Sequence, residues 1–106
     1  MTLDYKRFHS DKISDFVAFQ AAILRRIAPG KALTHNGMPL FDVVDYANLN
    51  ASLDFAAWDH YPSFDTPDHS DYSPSNWSND YFRATKQQNF ICMEETVGMG
   101  GAPHRR

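Results

Sequence analysis

At 106 residues, 42% of them apolar and 22% charged, the chain has the composition of one small globular unit rather than a disordered segment. A formal charge of −3 and a pI near 5.9 argue against a nucleic-acid partner, and the one basic cluster, His104-Arg105-Arg106, is a tail expected to be solvated. Asp4, Lys6, Arg7 and His9 interrupt the opening segment, so neither a signal peptide nor a membrane span is expected; the single cysteine, Cys92, set in an apolar run, reads as a buried inert thiol in a reducing, cytoplasmic compartment.

In chain order, Ile13, Phe16, Val17, Ile23, Leu24 and Ile27 recur at three- and four-residue steps. That spacing predicts an amphipathic helix from Ser10, as N-cap, to Ile27, stopped by Pro29-Gly30. "KALTH" then has the length of a buried strand ending in the turn pair Asn36-Gly37. "DVVDYANLNASL" has weaker helical spacing and leads into a second strand within "DFAAWDHYP". Between Pro62 and Pro74, "SFDTPDHSDYS" is rich in turn-forming Asp, Ser and Pro and predicts a long surface loop. A third helix, starting from Asn76 or Ser78 in "SNWSNDYFRATKQQ", precedes a third strand, "FICM".

Helices alternating with continuous apolar strands point to an α/β fold with about three parallel strands. Parallel strands gather their carboxyl ends on one rim, where ligands bind in barrels and open α/β sheets. Here those ends are His35-Asn36, Asp59-His60-Tyr61 and Glu94-Glu95. Polar residues at strand ends are also ordinary solvent-facing groups, so their position alone assigns no role. A closed (β/α)8 barrel takes about 250 residues. The chain is therefore either a small open sheet or part of a barrel.

Glu94 and Glu95 are the only glutamates. Successive strand side chains alternate in direction, so on a regular strand Phe90, Cys92 and Glu94 share one side while Ile91, Met93 and Glu95 share the other. Adjacent glutamates cannot then face each other across a sugar, as two carboxyl groups about 5–5.5 Å apart must in retaining glycoside hydrolysis. Asp59 is the nearest alternative partner on spacing, and it serves equally well as an orienting group or hydroxyl acceptor. A metal site from His35, His60 and His69 with Asp59 or Asp68 lacks any tight ligand spacing, and "GMGGAP" lacks the lysine of a phosphate-binding loop. Neither a metal nor another cofactor is expected.

Four stretches, in order, carry a family pattern: "LDYKRFHSD", "THNGM", "LDFAAWDHYP" and "NDYFRATKQQNFICMEE". Together they resemble the catalytic barrel of glycoside hydrolase family 42, the β-galactosidases, over nearly the whole chain. The resemblance implies that residues 1–106 are an internal fragment of a TIM-type (β/α)8 barrel, its later βα units, ending after the nucleophile strand. It implies that Glu94, following Met93, is the nucleophile. Tyr61, Asp59 and Asn36 would bind the galactoside at the same rim, and Trp58 would pack rather than stack on sugar. The parent would be a homotrimer. The family's acid/base is the Glu of an Asn-Glu pair, and no Asn-Glu dipeptide occurs here. An isolated chain is accordingly expected to be inactive, and a non-catalytic α/β module binding carbohydrate at the rim is the alternative.

Overall fold

The structure, a computed structural model, describes residues 2–38, 41–60, 73–88 and 90–95, with the side chains of 73–75, 94 and 95 outside that description. Five elements follow one another: α1 (Leu3–Ile27), α2 (Tyr46–Asn50), β1 (Ala57–His60), α3 (Ser73–Lys86) and β2 (Ile91–Glu95). β1 and β2 pair in parallel, joined through α3. The α/β alternation and the parallel pairing follow the sequence reading.

α1 begins a full two turns before Ser10. Thr2 is its N-cap, its hydroxyl accepting from the Tyr5 N–H at 3.4 Å, and Asp4 and Arg25–Arg26 complement the helix dipole at its two ends. Ser10 lies inside the helix, buried, and serves another element: its Oγ accepts the backbone N–H of Asp45 at 2.8 Å. Asp45 in turn caps α2, accepting from Ala47 and Asn48 at 3.0 and 3.2 Å. Ser10, Ser14, Val17 and Ala21 form the buried face of α1. Three of these four are small, which lets α2 approach closely.

The second helix is a five-residue turn rather than the twelve-residue stretch its pattern suggests. Asn50, 1% exposed, bonds outside the helix, its Nδ2 donating to Thr85 Oγ1 of α3 at 3.0 Å. α3 starts at Ser73, earlier than the predicted Asn76 or Ser78. Pro74 is tolerated in a first turn, where amides lack helical partners.

The predicted strand at 31–35 is not one. Residues 31–38 run beside β1 in its direction, with the Asp54 N–H donating to Leu33 O at 2.9 Å and the Asp59 N–H to Gly37 O at 2.9 Å. Side chains take the places of the missing ladder bonds. The Leu33 N–H donates to Asp54 Oδ2 at 2.7 Å and Thr34 Oγ1 to Phe55 O at 2.9 Å. The described sheet is thus two strands, not three, with an extended segment in the third position.

The core has two parts joined by Val44: Tyr46, Ala56, Trp58 and Phe82 on one side, and Val17, Leu49 and Leu53 on the other. Trp58 packs as expected, 4.7 Å from His60 edge-on and 6.2 Å from Phe82. β2 departs from the prediction of burial: Ile91, Cys92 and Met93 are exposed, so Cys92 is not a buried thiol. β1 covers one edge of β2, and among the described residues no strand covers the other.

Candidate functional site

The carboxyl ends of β1 and β2 lie side by side, where Asp59 is the Cα partner of Glu94 and His60 that of Glu95. Ahead of them Ala57 pairs with Ile91 and Trp58 with Cys92, so the register slips by one residue between Trp58 and Asp59. Met93 is the extra residue. A bulge of this kind interrupts regular alternation, so the count that groups Glu94 with Cys92 does not carry across it. The pairing of Glu94 with Asp59 is instead fixed by the ladder itself.

Asp59 is the best-defined polar group at this rim. It is 7% exposed, its Oδ2 accepts from Asn36 Nδ2 at 2.7 Å, and its N–H donates to Gly37 O at 2.9 Å. Oδ1 is buried and has no hydrogen-bond partner among the described residues.

The structure brings Asn36 and Asp59 together with the backbone of Glu94; Tyr61 lies outside the described residues. Of the groups considered for a metal, His35 Nδ1 lies 2.7 Å from Asn36 O and His60 packs on Trp58, while Asp68 and His69 lie outside the described residues. Among the described residues no cluster of three His, Cys, Asp or Glu side chains could hold a metal.

The supporting roles of two residues are not visible in the sequence. Gly37 packs against Phe82, and Tyr46 Oη accepts the Met38 N–H at 2.9 Å, so the loop after Asn36 is anchored on both sides of the amide. The Asn36-Gly37 pair reads as turn punctuation; its second function, close approach to a ring, needs the partner element to be known.

The model of a β-galactosidase family, glycoside hydrolase family 42, matches residues 1–103. The chain belongs to this family. β-Galactosidase BgaP of Planococcus sp. is 33% identical over 97 residues, covering 91% of this chain and 14% of that protein. β-Galactosidase BgaA of a Thermus species is 52% identical over 60 residues, 57% of this chain and 9% of its own. Among solved structures, the β-galactosidase of the haloarchaeon Halorubrum lacusprofundi superposes with a TM-score of 0.84 at 28% identity, over 94% of this chain and 17% of that one. The Rahnella sp. R3 enzyme gives 0.78 at 32% identity, over 89% and 14%. The family 42 chain described here thus spans less than a fifth of the length of these relatives.

Proposed function

We propose that this chain is the nucleophile-bearing part of a retaining β-galactosidase barrel, with Glu94 attacking the anomeric carbon of a terminal β-D-galactoside. The observation that carries the reading is the position of Glu94, at the carboxyl end of a parallel strand and paired with Asp59, within a family match that includes Met93-Glu94. In this reading the glutamate carboxylate forms a galactosyl-enzyme as the glycosidic oxygen leaves, protonated by a second carboxylic acid. Water, deprotonated by that same group, then releases galactose.

The second carboxylate comes from outside residues 1–106, on an earlier barrel strand. Tyr61 and Asn36 make up the polar surround of the sugar on this side of the rim, with Asp59 behind Asn36. The parent enzyme is a cytoplasmic homotrimer. Surface left apolar on this chain supports a larger assembly: Phe8, Phe16, Phe19 and Ile27 on α1, with Ile91 and Met93 on β2, are all at least 45% exposed.

The test is hydrolysis of a nitrophenyl β-galactoside. The purified chain is expected to show no turnover, whereas a relative's barrel carrying residues 1–103 in place of its own segment is expected to turn over. Loss of a general acid/base contributes about 10²- to 10⁴-fold, and the missing strands remove more. Galactose binding by the chain without turnover in the graft would favour the non-catalytic carbohydrate-binding module.

A further inference from the structure

We infer that Asp59 is a positioning residue: it holds the Asn36 side-chain amide in one orientation, N–H toward Asp59 and carbonyl oxygen toward the rim, so that Asn36 rather than Asp59 meets a sugar hydroxyl. This rests on the galactoside reading of the rim given above.

The argument is one of donors and acceptors. Asn36 Nδ2, which can only donate, lies 2.7 Å from Asp59 Oδ2, which accepts from it. The amide is planar, and its Oδ1 is thereby turned to the opposite side. Asp59 is buried and Asn36 exposed, so of the two only Asn36 is open to a ligand. The backbone agrees: Asp59 N–H to Gly37 O, Met38 N–H to Tyr46 Oη and the packing of Gly37 on Phe82 fix the loop immediately after Asn36. A bound group facing Asn36 Oδ1 must be a donor, which a sugar hydroxyl is and a carboxylate or phosphate is not.

The test uses the full chain, ¹⁵N-labelled, with galactose as the probe. In the unaltered chain one Asn36 side-chain proton is expected to exchange slowly, and galactose is expected to shift the Asn36 side-chain resonances. Asn36→Asp sets two acceptors against each other. At neutral pH it is expected to speed exchange of the Asp59 N–H by roughly tenfold, the scale of one hydrogen bond, and to abolish the galactose-induced shifts. Adding Asp59→Asn restores one donor and one acceptor, and both effects are expected to reverse. Should Asn36→Asp fail to fold, Asn36→Ala removes the donor without adding a second carboxylate and is expected to show the same faster Asp59 exchange and the same loss of galactose-induced shifts. Unchanged Asp59 exchange in Asn36→Asp, or galactose shifts that the double variant does not restore, would overturn the inference. Rescue of exchange in a chain that never responds to galactose would uphold the Asp59–Asn36 geometry and reject the galactoside reading instead.

Discussion

Gly37 lies directly against the ring of Phe82: a Cβ at position 37 would sit 2.4 Å from Cζ and 2.6 Å from Cε1 of a side chain with no solvent exposure. The ring cannot retreat without disturbing Trp58, stacked at 6.2 Å, and Tyr46, tilted against it at 5.2 Å. Gly37→Ala is therefore expected to destabilise by about 1–3 kcal/mol, the cost of overpacking a filled core. The urea midpoint checks this, and Phe82→Leu in the same chain is expected to recover part of the loss. Gly30→Ala is the contrast. With φ at +82° and nothing within 4 Å, it is expected to cost about 1–2 kcal/mol through backbone strain alone, unaffected by Phe82→Leu.

Ser10 and Asp45 form a relay between two helices, and its two bonds are expected to be coupled. Ser10→Ala leaves the Asp45 N–H without its acceptor and should cost about 1 kcal/mol; Asp45→Ala removes the α2 cap and should cost about 0.5–2 kcal/mol. The double variant should lose less than the sum, measured as a double-mutant cycle in urea.

Acid and alkaline unfolding have separate sources. Asp54 is held below its ordinary 3.8, first by the hydrogen bond from Arg25 and then by the Leu33 N–H, and Asp42 is lowered by Lys6. A depressed carboxylate contributes stability that is present above the unfolded pKa and lost as pH falls through the lower, folded one. Asp54→Asn is expected to flatten the dependence below about pH 4. Tyr81 is raised above 10.0, chiefly by burial and then by the Asp45 charge. Its contribution is present below the unfolded pKa and lost as pH rises through the folded one, so Tyr81→Phe is expected to flatten the alkaline limb. Thermal melts across pH check both.

The uncovered faces of α1 and β2 should drive self-association of the chain on its own. Phe16 and Phe19 are 59% and 61% exposed. Sedimentation at rising concentration is expected to show growing species, and Phe16→Lys with Phe19→Lys to suppress them without altering the helical circular dichroism.

How much of this was legible in the sequence depends on where each signal lives. The three helices, the two strands β1 and β2 and their parallel pairing follow from local periodicity and turn residues. Ser10 was misread because a serine before an apolar run caps a helix as readily as it caps a neighbour's backbone, and only tertiary structure distinguishes them. Residues 31–35 have strand character, but Asp54 and Thr34 supply side-chain bonds in place of a ladder. Asn36 and Asp59 were legible as rim residues. Their division of labour was not, because it turns on the burial of one and the exposure of the other. The bulge at Met93 leaves no mark on the apolar pattern.

The nucleophile assignment is tested most directly by trapping. In the Halorubrum lacusprofundi barrel carrying residues 1–103 of this chain, a 2-deoxy-2-fluorogalactoside with an activated leaving group needs no proton donor to galactosylate the enzyme. Peptide mass spectrometry is expected to find the sugar on Glu94, and Glu94→Gln to lower nitrophenyl galactoside turnover by a factor on the order of 10⁶, with Glu95→Gln largely active. A label on Glu95 or another carboxylate, or turnover that survives Glu94→Gln, would contradict the assignment.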